Sequence, residues 1–172
     1  MHDLVIVGAG PCGLSMGIEA KEKGLDYLII DKGNVTESIR RYPVNMVFFS
    51  TSEMIEIGDI PFVSQGIRPN RTEALKYYRK VVSHYDLNLK IFTRLESVVP
   101  TEGGFVLQTT TGTLHCRKLA LATGYYDKPK LLGVPGEDLP HVSHYYDEAF
   151  KYTYTKVMGV GGANSAIEAA LD

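Results

Sequence analysis

Residues 8–13 read GAGPCG and place three glycines and a cysteine in one short turn. The apolar run LVIV precedes the turn and LSMGIEAKEK follows it, which predicts a buried strand leading into a helix. The glycines fit G-x-G-x-x-G, in which the first permits a tight turn, the second lets a phosphate approach the backbone, and the third allows close packing of helix on sheet. A helix N-terminus favours anions. The spacing therefore predicts a pyrophosphate site formed by Gly8, Gly10, Pro11, Cys12 and Gly13.

Cys12 is the side chain of this turn whose type could take part in redox chemistry. The N-terminus of a helix stabilises a thiolate, whereas a neighbouring diphosphate opposes it. The residues alone leave two readings open: a redox-active thiol, or a small side chain tolerated in a crowded turn. The other cysteine, Cys116, is predicted to be a bystander. Two distant cysteines indicate neither a disulfide framework nor a zinc site, so no metal is expected.

The second strand of this unit, DYLIID, ends in an acid, Asp31, eighteen residues after Gly13. A carboxylate there can accept hydrogen bonds from ribose hydroxyls and repels a 2′-phosphate, so the first site favours FAD or NAD over NADP. Lys32 is a candidate for neutralising phosphate charge, although a solvated surface lysine explains it equally well.

A second glycine turn, GGANSA, occupies residues 161–166 after the predicted strand 155–160. Ala163 stands where a second glycine would admit a pyrophosphate most closely, so a packing turn and a cofactor site are both compatible with this pattern. The candidate residues for a second, pyridine-nucleotide site are Gly161, Gly162, Asn164 and Ser165.

The segments between the two turns predict the rest of the fold. A helix is expected from Thr72 as its N-cap, a strand over 89–93, and a small antiparallel meander over 95–124. Residues in ALATG and FFSTSE could contact a flavin or its phosphates, and ordinary turn chemistry explains them too. These candidates are Ala122, Thr123, Gly124, Ser50 and Thr51.

The pattern as a whole predicts an α/β, Rossmann-like three-layer fold with a small β meander. Residues 1–125 are expected to form an FAD-binding domain without its C-terminal return segment, 126–154 a connector, and 155–172 the start of a truncated NAD(P)H-binding domain. Because a lone strand and half a helix cannot bury their apolar faces, the chain is expected to be the first half of a longer protein.

The composition narrows the possible partners. The chain has 172 residues and a net charge of -2, which gives no electrostatic case for nucleic acid or an anionic membrane. It contains no apolar stretch near the roughly 20 residues of a membrane span and no signal-peptide pattern at its start. A cytoplasmic protein without nucleic-acid or membrane partners is the expectation.

GAGPCGL, the strand-end acid, LALATG and VGGANSA together resemble the two-dinucleotide flavoprotein superfamily with thioredoxin-reductase-like layout. More specifically, IIDKGNVTESIRRYP, FFSTSEMIEIGDIPF and VPGEDLPHVSHYY resemble the YpdA-type flavoproteins, a family of bacillithiol disulfide reductases. The resemblance implies FAD and NADPH as cofactors, a low-molecular-weight disulfide as substrate, and self-association into a homo-oligomer. It also places Cys12 on the flavin loop, which suggests that this thiol is the catalytic nucleophile.

Three kinds of alternative exist beside this reading: a dithiol enzyme, another flavoenzyme without a dithiol, and a non-catalytic fragment. A thioredoxin-reductase dithiol would precede the second glycine turn, and HVSHYYDEAFKYTYTKV contains no cysteine. A flavin-containing monooxygenase is disfavoured because its Phe-x-Gly-x-x-x-His pattern is missing, whereas a ferredoxin reductase-like flavoenzyme fits the two turns. A non-catalytic FAD-binding fragment is the third alternative.

Overall fold

The computed structural model describes residues 1–172 and centres on one six-stranded sheet of order β3-β2-β1-β6-β5-β4. Strands β1, β2, β3 and β6 run parallel, and β4 and β5 continue the sheet beyond β6 as an antiparallel meander. The α/β Rossmann-like prediction is confirmed. The strands are β1 His2–Val7, β2 Tyr27–Ile30, β3 Leu89–Lys90, β4 Leu95–Thr101, β5 Gly104–Thr109 and β6 Gly112–Leu121.

Five α-helices accompany the sheet. They are α1 Pro11–Glu22, α2 Glu37–Arg40, α3 Ser52–Ile55, α4 Arg71–Tyr85 and α5 Asn164–Leu171, with a short 3-10 turn at Phe150–Tyr152. None of them has the length and apolar character that a membrane span requires.

The core lies on both faces of β1 because side chains alternate along a strand. Ile6 joins the larger apolar cluster under α1 and α4, together with Leu14 and Val81. Val5 and Val7 face the opposite side, where a smaller cluster includes Cys116. Burial on both faces explains why the N-terminal run is continuously apolar, and it fixes the position of the turn that follows.

Three predicted boundaries are wrong. Helix α4 is capped by Asn70 and not by Thr72: the Asn70 side chain accepts from the Glu73 N–H at 2.9 Å, and the Glu73 carboxylate accepts from the Asn70 N–H at 2.8 Å. This reciprocal pair satisfies two N–H groups that a lone threonine could not. Strand β3 ends at Lys90, because Phe92 adopts a φ of +54° that no extended strand allows.

The third correction concerns residues 155–160, which form no strand. A strand needs a neighbour to satisfy its N–H and C=O groups, and this segment pairs with neither edge of the sheet. Its apolar side chains, including Val157 and Met158, are exposed. The helix predicted after the second glycine turn does form, as α5.

Candidate functional site

The candidate site lies where β1, β2 and β6 reach their carboxyl ends side by side. Gly8 leaves β1 with a φ of +119°, and a Cβ there would lie 2.2 Å from the carbonyl oxygen of Ala122, just beyond β6. A Cβ on Gly13 would lie 1.8 Å from the carbonyl oxygen of Gly8. These two glycines are therefore required by contacts within the chain itself, as the fingerprint predicts.

Gly10 differs from both of these glycines. Its φ of -80° and ψ of 178° suit any L-residue, and a Cβ there would meet nothing within 4 Å. Gly10 is the N-cap of α1, where glycine is preferred to alanine, but no neighbouring atom of the chain requires the side chain to be missing. Gly10 instead leaves open space in front of the N-terminus of α1.

The N-terminus of α1 offers hydrogen-bond donors to that space. Pro11 has no N–H group, while the amides of Cys12 and Gly13 have no acceptor within the chain, and no side chain caps the helix. Unpaired N–H groups and the helix dipole favour an anion at this point. The residues present thus fit the pyrophosphate of a dinucleotide.

Asp31 follows β2 and binds the glycine turn directly. Its Oδ2 accepts the Ala9 N–H at 2.7 Å, and its Oδ1 accepts the Gly33 N–H at 2.7 Å. Each carboxylate oxygen keeps a second lone pair, so the half-buried side chain can still accept a hydroxyl donor. Sequence reasoning predicted the ribose role and missed the anchoring of the turn, although an acid at a strand end beside a glycine loop could have suggested it.

Residues Ala122–Gly124 complete this edge of the sheet. The Ala122 N–H donates to the carbonyl oxygen of Val7 at 2.8 Å, which extends the pairing of β6 with β1 to the start of the turn. Gly124 has a φ of +65°, and Thr123 is exposed beside it. The structure therefore brings three predicted groups together: the glycine turn, Asp31 and the end of ALATG.

A charged cluster ties the loops after β2 and β6 together, and sequence reasoning did not find it. Asp127 accepts from Lys32 on one oxygen and from Arg41 on the other. Hydrogen bonding to Lys32 holds the pKa of the Asp127 carboxyl below its usual value. The Arg41 guanidinium also lies 5.7 Å from the ring centre of Tyr126 and 5.2 Å from that of Tyr145. Lys32 is thus already paired within the chain.

The two cysteines lie in opposite environments. Cys12, the second residue of α1, is exposed, whereas Cys116 is buried in β6, and burial raises its pKa. Tyr78 of α4 is buried in the larger core cluster, which also contains Ala9 of the glycine turn. Burial, with Tyr77 and Cys12 nearby, raises the pKa of Tyr78. Its neutral hydroxyl donates to the carbonyl oxygen of Ile55 at 2.8 Å.

Ser50 and Thr51 precede α3 and are half-buried. No hydrogen bond joins either side chain to the glycine turn, so their predicted flavin contacts remain predictions. The neighbouring Ser52 is the buried member of this segment and shares a hydrogen bond with Ser64, at 2.5 Å between the hydroxyl oxygens.

The second glycine turn has part of the expected geometry. Gly161 has a φ of +138°, and a Cβ on Gly162 would meet nothing within 4 Å. Asn164 and Ser165 open α5, which is preceded by Ala163 as N-cap and buries none of its residues. The turn and helix match the prediction, and the role of this turn in binding a nucleotide remains a prediction.

The fold and the glycine turn at the centre of its sheet define a Rossmann-like protein of the flavoprotein type. The chain belongs to the pyridine nucleotide-disulphide oxidoreductase family, which residues 5–172 match. This confirms the family resemblance drawn from the motifs.

Several known proteins are similar to this chain. It is 45% identical over 169 residues to bacilliredoxin reductase Bdr of Bacillus subtilis. The match covers 98% of this chain and 52% of that protein. Its structure resembles the bacillithiol disulfide reductase Bdr (YpdA) from Staphylococcus aureus, with a TM-score of 0.96 and 48% identity over 98% of this chain and 52% of the other. The enzyme of the same name from Bacillus cereus matches with a TM-score of 0.95 and 39% identity. That match covers 99% of this chain and 54% of the other. The chain thus spans about half the length of these relatives.

Proposed function

We propose that this chain is the FAD-binding half of a flavoenzyme that passes electrons from NADPH to a low-molecular-weight disulfide, of the bacillithiol disulfide type, in the cytoplasm. The family match supports the reaction class, and the names of the similar proteins support the disulfide substrate. Bound FAD supplies the two-electron carrier between nicotinamide and disulfide.

One observation carries the proposal: the open space at Gly10. The other two glycines and the acid of the first turn also serve the fold, because Gly8 and Gly13 pack against backbone and Asp31 anchors the loop. At Gly10 no atom of the chain excludes a side chain, and this residue directly precedes the unpaired amides of α1. A pyrophosphate that touches the backbone there supplies the reason.

The two glycine turns bind different nucleotides in this proposal. Asp31 places negative charge where the ribose of the first nucleotide lies, which suits the free hydroxyls of FAD and disfavours the 2′-phosphate of NADPH. NADPH is therefore assigned to the second turn, at Gly161, Gly162, Asn164 and Ser165. This assignment makes 1–125 the FAD-binding domain, 126–154 the connector and 155–172 the beginning of the NADPH-binding domain.

Cys12 is the proposed nucleophile because its exposed thiol lies on the turn that holds the cofactor. The thiolate sulfur attacks one sulfur of the substrate, which forms a mixed disulfide, breaks the substrate's S–S bond and releases the other half as a thiolate that takes up a proton from solvent. Two electrons derived from NADPH, with one proton, then cleave the mixed disulfide. This step releases the second thiol and restores the Cys12 thiolate.

The first experiment measures FAD binding by the purified protein and its Gly10→Ala variant. The added methyl group meets no protein atom, so the unfolding temperature without flavin should fall only by the small preference for glycine over alanine at an N-cap, whereas FAD affinity should fall about tenfold or more. Gly103→Ala is the matched control, because Gly103 also faces open space, in the turn between β4 and β5. A Gly10→Ala variant that binds FAD like the wild type, or a wild type that binds none, would refute the proposal.

The second experiment tests the thiol. In a longer protein that includes the complete NADPH-binding domain, Cys12→Ala should abolish disulfide-dependent NADPH oxidation while leaving FAD binding and slow oxygen-dependent NADPH oxidation intact. Met16→Ala, an exposed change one turn later on the same helix, should keep all three. Normal disulfide turnover by Cys12→Ala would eliminate this residue as the nucleophile.

A further inference from the structure

Phe92 has an unusual backbone and an unusual exposure for its residue type. It adopts a φ of +54°, and 62% of its surface is accessible. A bulky residue at positive φ is an outlier that costs free energy, and such strain concentrates at functional sites. The segment could have continued β3 as a strand, yet it turns outward and presents an aromatic ring to solvent.

Hydrogen bonds on both sides hold this strained position. The Phe92 N–H donates to the carbonyl oxygen of Gly33 at 3.1 Å, and the Thr93 N–H donates to that of Asp31 at 2.7 Å. Thr93 itself is buried at 1% exposure. Because its neighbours are fixed, Phe92 cannot relax into an extended conformation, and its exposed ring is carried by a backbone that is hydrogen-bonded to the loop after β2.

The same hydrogen bonds define an order along the edge of the sheet. The Asp31 carboxylate accepts hydrogen bonds from Ala9, in the glycine turn after β1, and from Gly33, in the loop after β2. The Gly33 carbonyl oxygen in turn accepts the Phe92 N–H after β3, so the contacts follow the order of the three neighbouring strands. Adjacent strands lie about 4.8 Å apart, so this row spans roughly 10 Å. The adenosine half of a dinucleotide presents diphosphate, ribose and adenine in that order over a similar length.

We propose that Phe92 is the aromatic contact for the adenine ring of FAD. The inference rests on the proposed function, because it assumes that the diphosphate occupies the glycine turn and the ribose reaches Asp31. An exposed ring at the third place in this row offers adenine an apolar, polarisable surface, and base–aromatic stacking is a strong contact. The strain at Phe92 then has a function: it holds the ring at the edge and out of the sheet.

The test measures FAD affinity by quenching of flavin fluorescence, together with unfolding temperature without flavin. Phe92→Ala should weaken FAD binding about tenfold, which lies within the range that loss of one stacked base produces. Phe92→Tyr should restore the wild-type affinity. Phe92→Gly should weaken binding as much as alanine while unfolding at the same or a higher temperature, because glycine accepts the positive φ without strain.

Tyr154→Ala is the matched control, since Tyr154 is also an exposed aromatic at positive φ, +61°, and lies outside the row. It should leave FAD affinity unchanged. The inference is overturned if Phe92→Ala or Phe92→Gly binds FAD like the wild type, or if Tyr154→Ala weakens binding equally. A wild type that binds no FAD instead refutes the proposed function, so the two failures are distinguishable.

Discussion

Gly13→Ala offers the sharpest test of how the glycine turn is built. The new Cβ would lie 1.8 Å from the carbonyl oxygen of Gly8 and 2.9 Å from its carbonyl carbon. Both atoms belong to the backbone, so no side-chain rotation relieves the overlap, and a cost of about 3 kcal/mol is expected, at the upper end for overpacking. Alanine recovers up to about 1 kcal/mol over glycine inside a helix. The net loss is therefore about 2 kcal/mol, or a fall in unfolding temperature of about 4–8 °C for a chain of this size.

Thermal unfolding followed by circular dichroism, without flavin, measures this loss. Gly17→Ala provides a graded comparison, because its Cβ would lie 2.5 Å from Cδ1 of Ile29, the movable end of a side chain. The unfolding temperature of Gly17→Ala should fall less than that of Gly13→Ala, and that of Gly10→Ala should fall only slightly, because alanine is a poorer N-cap than glycine. The reasoning fails if Gly13→Ala unfolds at the wild-type temperature, or if Gly10→Ala loses as much.

Three further predictions concern the cysteines, the cap of α4 and the charged cluster. Brief alkylation of the folded protein should modify exposed Cys12 and spare buried Cys116, as mass spectrometry of the peptides would report; equal labelling would contradict the described burial. Asn70→Ala removes the capping box and should cost about 1 kcal/mol in chemical unfolding, whereas Thr72→Ala should cost little. The Asp127 pKa is lowered from its usual 3.8, so the stabilisation by this carboxylate is present above that value and is lost as pH falls through the lowered pKa. Limited proteolysis should then cut residues 126–147 sooner at acid pH than at neutral pH, and Asp127→Asn should be cut early even at neutral pH. If neither the lower pH nor the substitution changes the cutting rate, the role of Asp127 in joining the two loops is contradicted.

Local patterns explain why the first unit of the fold was predictable. The run before Gly8 is buried on both faces of the sheet, and Gly13 is required by a contact with the carbonyl oxygen of Gly8 in the same turn. Gly8 also meets the distant Ala122, but its positive φ already demands a glycine at the tight turn. Asp31 was identifiable because its position follows from the length of one strand–helix–strand unit. These features depend on neighbours in sequence, so the sequence alone could predict them.

The remaining features depend on partners that are distant in sequence or on reciprocal contacts. Asp127 meets Lys32 and Arg41 from 95 and 86 residues away, a pairing that no local pattern indicates. The predicted end of β3 failed because tertiary hydrogen bonds impose a positive φ on Phe92 against its strand propensity. The Asn70 cap, by contrast, has a local pattern, Asn-x-x-Glu, which indicates a capping box more strongly than the threonine two residues later.

The hydrogen bond between the Asp31 carboxylate and the Ala9 amide affects both the entropy and the rate of nucleotide binding. Because the chain itself already fixes the turn, a nucleotide meets a preorganised receptor and little ordering entropy is lost on arrival. Reconstitution with flavin should accordingly proceed in a single phase, with no slow folding event after the encounter. Removing that carboxylate by Asp31→Ala would free the turn, so flavin binding would then take two steps: the encounter, followed by ordering of the turn.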